Sequence, residues 1–247
     1  MQLVILAGGR ATRLRILCGE TPKSLVPILS KPFLERALPI YSKLGFLSVI
    51  IAIRYRDPVK AEYEKIMTSC WGSSYKIIED QTADAGTGGC LMGLLPHLNM
   101  RFAVVNGDSW FSVEELLGTS LKNFILCQKG SCIVIAQPHN YDIPNIAYHD
   151  SSNAVVAYNK TAVFSDEIKR LPGIKYGIDY GIFITEKIDI ADYSMKSKKD
   201  KFDIGKLYEW LIFNGKLQNI LTNGDYIDVG TYRGWSRLSS ELAKIDK

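Results

Sequence analysis

The alternation of apolar and polar positions divides the chain into two halves of different character. Leu3 to Leu6 form a continuous apolar run that stops at Ala7-Gly8-Gly9, the pattern of a strand buried on both faces in a parallel sheet. Phe33, Leu34, Ala37, Leu38, Tyr41 and Leu44 recur at helical spacing and end at Gly45, a helix-terminating glycine. Pro39 lies inside that pattern and predicts a kink or a delayed start. Ser48 to Ile53 read as a second strand, and Asp57-Pro58 as the cap and first residue of a helix reaching about Met67. Tyr75 to Ile78 read as a third strand and Thr87 to Leu95 as a helix behind a Gly-rich entry. Phe102 to Val105 make a fourth strand that ends at Asn106-Gly107-Asp108. Ser112 with Glu115 forms a capping box for the next helix.

The first half is therefore a βαβα alternation, which predicts a mostly parallel, doubly wound sheet. Further on, Cys132 to Ala136, Ile143 to Tyr148 and Ala154 to Tyr158 are strand-like, the last two flanking the turn Asp150-Ser151-Ser152-Asn153. Lys175 to Ile184 is a strand interrupted by Gly177 and Gly181. Asp203 to Phe213 is helical, Asp225 to Val229 is a short strand, and Thr231 caps a last helix with Trp235, Leu238, Leu242 and Ile245 turned inward. No linker, repeat or composition shift marks a boundary. The expected architecture is one α/β domain over 1–247, a mixed, mostly parallel twisted sheet flanked by helices.

The 247 residues carry 30 Lys+Arg against 26 Asp+Glu, a net charge of +4. This mild excess suits an anionic small molecule and is too weak for nucleic acid, since the basic residues form no patch interleaved with aromatics. The five cysteines, Cys18, Cys70, Cys90, Cys127 and Cys132, are scattered without a C-x-x-C pair, so reduced thiols in a cytoplasmic protein are expected. His97, His139 and His149 lack metal-type spacing. No apolar run reaches a membrane span, and MQLVILAGG lacks the basic and long apolar regions of a leader, so no membrane association is expected.

Four stretches carry candidate chemistry. Ala7-Gly8-Gly9-Arg10-Ala11-Thr12-Arg13-Leu14 follows the first strand, at the carboxyl edge where open parallel sheets bind ligands. Two adjacent glycines let consecutive N–H groups converge on phosphate oxygens, and Arg10, Arg13 and Arg15 bring guanidinium groups towards the same anion. It is neither a P-loop nor a dinucleotide fingerprint. Lys23, between Pro22 and Pro27, suits a second phosphate; a surface lysine is the plainer reading. Asp108, at the end of the fourth strand, and Asp228, between apolar residues, suit Mg²⁺, with a cap or structural ion pair open for each. Ala85-Gly86-Thr87-Gly88-Gly89 offers either backbone groups to a nucleobase edge or a tight helix entry.

Together and in this order, Leu6-Ala7-Gly8-Gly9-Arg10-Ala11-Thr12-Arg13-Leu14, Pro22-Lys23-Ser24-Leu25-Val26-Pro27-Ile28, Gly86-Thr87-Gly88-Gly89, Gly107-Asp108, Lys160 and Tyr226-Ile227-Asp228-Val229-Gly230-Thr231 resemble the sugar-1-phosphate nucleotidylyltransferases. The resemblance spans the whole chain. The short length, with no C-terminal β-helix, is most similar to the branch that includes D-glycero-D-manno-heptose-1-phosphate guanylyltransferases. It implies the nucleotide-diphospho-sugar transferase fold, with 1–110 as a nucleotide-binding half and 111–247 as a sugar-phosphate-binding half. It also implies transfer of a nucleotidyl group, from GTP in this branch, to a heptose or mannose-type 1-phosphate with release of pyrophosphate.

The roles implied by this resemblance are specific. Leu6, Ala7, Gly8, Gly9, Asn106, Gly86 and Thr87 belong to the nucleotide site. Arg13 stabilises the departing pyrophosphate, Lys23 neutralises the α-phosphate, and Asp108 and Asp228 hold Mg²⁺. Asn159, Lys160, Tyr180 and Gly181 belong to the sugar-phosphate site. The chain departs from the family pattern at Ala11 for a loop glycine, Asn159 for the acidic residue before the lysine, Asp84-Ala85 for Pro-Leu, and Asp179-Tyr180 for Asn-Ala. The phosphate and metal set matches, and the departures fall on the base and sugar side. Two other readings remain open: a cytidylyltransferase for phosphocholine or another phosphorylated metabolite, and a catalytically silent nucleotide-sugar-binding regulator. A homodimer is also left open.

Overall fold

The computed structural model describes residues 1–111, 130–138, 143–161 and 163–245. The expected Ser112/Glu115 capping box, Cys127 and His139 lie outside them. The fold class is mixed α/β, with a mostly parallel sheet and flanking helices. The chain divides into two compact units. One comprises Met1–Asp80, Val105–Val113 and Asp225–Lys247, and the other Gln81–Val104 and Glu114–Gly224.

In the first unit, strand Gln2–Leu6 pairs in parallel with Ser48–Ile53, which pairs in parallel with Tyr75–Glu79. Helices Phe33–Lys43 and Lys60–Cys70 make the crossovers that parallel pairing requires, and they pack on each other. Leu3, Val4 and Ile5 are fully buried, as the unbroken apolar run requires; each such side chain contributes about 1.5–3 kcal/mol. Pro39 neither delays nor ends the first helix, which runs from Phe33. It lies on the exposed face, where water can take the carbonyl that its missing N–H leaves free. Asp57 is not the cap of the second helix. Its Oδ1 accepts from the Val59 N–H in a turn of its own, and the helix starts at Lys60.

The last helix, Tyr232–Ile245, is capped as expected by Thr231, whose Oγ1 accepts from the Gly234 N–H at 3.1 Å. Leu238 and Leu242 are buried, and Trp235 donates from its indole to the Pro27 carbonyl. Ile245, expected to face inward, is exposed, because the helix has run past the surface it covers.

In the second unit, strand Ser131–Ala136 pairs in parallel with Leu217–Thr222 and antiparallel with the long strand Ile174–Glu186. The long strand also pairs antiparallel with Ile146–His149, which forms a hairpin with Val155–Tyr158. Asn153 takes φ +54° in the connecting turn, a conformation asparagine tolerates. Gly177 and Gly181 do not break the long strand. A side chain at Gly177 would overlap Ile135, and Gly181 sits at φ +81° inside a register shift between Asp179 and Phe183. Helices Gly86–Gly93, Lys187–Ser197 and Ile204–Phe213 pack on one another. Among the described residues, no helix is long and apolar enough to cross a membrane, and Cys18, Cys70, Cys90 and Cys132 are free thiols.

Candidate active site

The first unit assembles its site around the end of strand Gln2–Leu6. Ala7 continues the parallel ladder through its N–H to the Ala52 carbonyl. Its own carbonyl accepts from the hydroxyls of Tyr63 and Ser24 at 3.3 and 3.4 Å. The Lys23 N–H donates to the Gly9 carbonyl at 2.9 Å and Arg10 bridges to Pro22, so the Pro-Lys segment lies along the glycine turn. Half-buried Asn106 ends its strand, and Gly107 follows. A Cβ at Gly107 would stand 2.7 Å from the Leu6 carbonyl oxygen. Only glycine permits that approach, and it delivers Asp108 to the turn.

Asp228 reaches the same place from far along the chain. Ile227–Asp228 pairs antiparallel with Ser109–Trp110, and the Val229 N–H donates to the Asp108 carbonyl at 2.9 Å. The Lys23 Nζ donates to Asp108 Oδ2, and an Arg13 Nη donates to Asp228 Oδ2 at 3.1 Å. Burial and the neighbouring Asp108 carboxylate push the Asp228 carboxyl above its ordinary range, against the opposing pull of Lys23 and Arg13. Arg15 does not join this group. It pairs with Glu20 at 2.5 Å on the surface, while Arg10 is exposed.

Ala11, where the resemblance expects glycine, takes φ −82° and buries its methyl with Leu14 and Val26. The turn therefore needs no positive φ there, and alanine adds to the core.

The donor set fits a divalent cation. The Asp108 carboxylate lies close enough to Asp228 to disfavour its charged form, and a shared cation relieves such repulsion. No third His, Cys, Asp or Glu joins them among the described residues. That suits a hard ion bound by one or two carboxylates with water and phosphate oxygens completing its shell.

The second unit holds the remaining candidates. Gly86 takes φ +71°, and a Cβ there would lie 2.5 Å from the Phe202 carbonyl oxygen. That oxygen accepts from the N–H groups of Gly88 and Gly89, and the Thr87 hydroxyl accepts from the Ile204 N–H at 2.8 Å. The Gly-Thr-Gly-Gly stretch is thus packed closely on 202–204. Asn159 organises its own turn, its Oδ1 accepting from the Thr161 N–H and hydroxyl and its Nδ2 donating to the Val163 carbonyl. That turn presents Lys160, which pairs with Asp203 at 2.8 Å. Tyr158, Asn159, Lys160, Asp203, Gly205, Lys206 and Glu209 line a cavity of about 350 Å³.

Tyr180 is fully buried, so its side chain belongs to the core, and Gly181 is buried beside it. The preceding Asp179 is half-buried. Its Oδ1 accepts from the Gly181 N–H at 2.8 Å, and burial pushes its carboxyl up to about 6, with Asp203 adding to the rise. Asp203, the partner of Lys160, belongs to no motif that the sequence reading singles out. Its one signal is its place ahead of a helix, where it serves as the cap by accepting from the Gly205 N–H.

Several known proteins are similar to this chain. The D-glycero-alpha-D-manno-heptose 1-phosphate guanylyltransferase of Campylobacter jejuni is 26% identical over 230 residues, covering 93% of this chain and 95% of that protein. The protein of the same name from Aneurinibacillus thermoaerophilus is 23% identical, with 98% of each covered. The crystal structure of HddC from Yersinia pseudotuberculosis superposes with a TM-score of 0.74 at 23% identity, over 98% of this chain and 99% of that one; at this identity the likeness is one of fold. Residues 3–171 match the MobA-like NTP transferase domain. That match takes in more than half of the chain, which therefore belongs to this family of nucleotidyltransferases.

Proposed function

We propose that the protein joins a sugar 1-phosphate to a nucleoside triphosphate, releasing pyrophosphate, with GTP and a heptose or mannose-type 1-phosphate as the substrates. The observation that carries this reading is the grouping of Arg13, Lys23, Asp108 and Asp228 beside the Gly8-Gly9 turn. The choice of GTP and heptose follows the names of the two guanylyltransferase relatives, supported by the likeness to HddC, whose structure is also known with GMP-PN.

In this reading an oxygen of the acceptor phosphate attacks the α-phosphorus in line and pyrophosphate leaves. Such chemistry depends on positioning and charge neutralisation more than on covalent catalysis. The N–H groups of Gly8 and Gly9 bind triphosphate oxygens, with Leu6, Ala7 and Asn106 forming the bed of the turn. Lys23 leaves Asp108 to neutralise the α-phosphate, and Arg13 leaves Asp228 to stabilise the departing pyrophosphate. Asp108 and Asp228 are the residues that hold Mg²⁺, which when bound supplies further neutralisation of phosphate charge.

Residues 1–110, together with Asp228, serve the nucleotide, and the rest of the chain serves the acceptor. Gly86 and Thr87 meet the base or ribose chiefly through the main chain, since the Thr87 hydroxyl is engaged. Lys160, released from Asp203, binds the acceptor phosphate. Asn159 shapes the lysine's turn, and Gly181, backed by Tyr180, lines the sugar pocket. The proposed compartment is the cytoplasm, and a second copy of the chain is the proposed partner.

Pyrophosphate release with GTP, CTP, dTTP, UTP or ATP, magnesium and a panel of acceptors tests this. Turnover is expected with GTP and heptose 1-phosphate. Turnover only with CTP and phosphocholine transfers the reading to a cytidylyltransferase. Nucleotide binding without any turnover leaves a silent regulator.

A further inference from the structure

One charged group beside the glycine turn has no part in the mechanism above. Arg54 follows strand Ser48–Ile53, at the carboxyl edge where parallel strands present residues to ligands. Its Cγ stands 3.3 Å from the position a Cβ on Gly8 would occupy, while Lys23 Cδ stands 3.4 Å from the equivalent position on Gly9. Arg54 and Lys23 therefore flank the two glycines, one beside each.

The Arg54 guanidinium is held in place. Its Nε donates to Asp57 Oδ2 at 3.2 Å, and the Asp57 side chain is wholly buried. The other oxygen of that carboxylate accepts from the Val59 N–H, so Asp57 is itself fixed. The Arg54 side chain is 20% exposed, and neither Nη takes a hydrogen bond among the described residues. A guanidinium locked along one edge, with its remaining donors free, has already lost the side-chain entropy that binding would otherwise cost. A structural ion pair for Asp57 needs only the Nε contact. Gly8 also leaves open the space through which a ligand on the turn would meet those donors.

We propose that Arg54 is a further nucleotide-contacting residue, donating through its Nη groups to acceptor atoms of the nucleoside triphosphate bound on the Gly8-Gly9 turn. This rests on the nucleotidyl-transfer reading of that turn. The shared chemistry is a hydrogen-bond acceptor met by a two-pronged donor. Phosphate oxygens and the O6/N7 edge of guanine both offer it.

The test is equilibrium titration of the whole chain with GTP, ATP and CTP in magnesium, for wild type, Arg54→Ala and Arg54→Lys, with thermal melting beside it. The substitution to alanine is expected to weaken GTP binding about tenfold. The lysine variant keeps a cation for Asp57 and is expected to melt like the wild type while binding GTP severalfold more weakly, because a point charge does not replace the fork. An equal loss for all three nucleotides assigns the contact to phosphate, and a loss confined to GTP assigns it to the base.

Wild-type affinity in Arg54→Lys together with wild-type affinity or failure to fold in Arg54→Ala overturns the proposal, leaving Arg54 as the partner of Asp57 alone. Acceptor KM, measured where the enzyme turns over, stays unchanged in both variants; a rise equal to that in nucleotide KM also overturns it. Nucleotide binding that depends on Arg54 in a chain that catalyses no transfer would refute the proposed reaction and leave this contact standing.

Discussion

The candidate sites of the two units differ in how their carboxylates are paired. In the first, Asp108 and Asp228 each face a cation, Lys23 and Arg13, and they crowd each other. In the second, Asp203 has Lys160, but Asp179, whose carboxyl is raised to about 6, has no paired cation among the described residues and relies on the Gly181 N–H. The first arrangement suits a polyanion, because its cations can pass from a carboxylate to a phosphate and keep an anionic partner throughout. The second suits a ligand that is mostly neutral and carries one phosphate group, since its cavity sets Lys160 and Lys206, each paired with a carboxylate, beside the hydrogen-bonding groups of Tyr158 and Asn159. A sugar 1-phosphate has that description.

The largest effect expected from breaking this contrast is in turnover. Asp108→Asn should lower kcat by a factor on the order of 10³ with melting near wild type, because it weakens charge handling rather than packing; unchanged kcat in a steady-state assay would remove Asp108 from the site. Gly107→Ala attacks the same unit through its main chain. The added Cβ meets the Leu6 carbonyl oxygen at 2.7 Å, so denaturant unfolding should show a loss of about 3 kcal/mol. Gly9→Ala is the control, since its Cβ would make only an ordinary contact with Lys23.

Asp179→Asn tests the other unit. The Asp179 carboxyl titrates near 6 in the folded chain and near 3.8 otherwise, so the folded chain holds a proton that the unfolded chain has lost between those values. Stability therefore falls as pH rises from about 4 to about 6 and stays lower above. Asparagine keeps an acceptor for the Gly181 N–H and carries no charge. It should stabilise the chain by on the order of 2 kcal/mol at pH 8 and by little at pH 4, read from urea unfolding at both; an equal change at the two pH values would remove Asp179 as the cause. Lys160→Ala should raise acceptor KM about tenfold and leave nucleotide KM unchanged. Equal rises in a two-substrate analysis would contradict its assignment to the acceptor.

Most of the elements are legible in the sequence because burial on two faces of a sheet, or on one stripe of a helix, leaves a periodic mark. The strands from Leu3, Ser48 and Tyr75 and the helix capped by Thr231 lie where the pattern predicts them. Pro39, Asp57 and Ile245 depart from expectation for a common reason. Local propensity speaks for one role at each of them, and exposure or a neighbouring turn decides for another. Arg54 carries no motif, although it closes a strand that the pattern locates. The rule that parallel strands offer their carboxyl ends to ligands covers it as well as Gly8 and Asp108.

Local chemistry written in the chain determined which segments become strands and helices and that the chain carries a nucleotidyltransferase pattern. These depend on neighbours within a few residues, or on residue order alone. Tertiary structure decided which charges meet: Arg13 with Asp228 across 215 positions, Lys23 with Asp108 across 85, and Asp179 with no cation among the described residues. Coulomb energies and desolvation depend on distance in space and on the surrounding dielectric, and only the folded chain sets either of them.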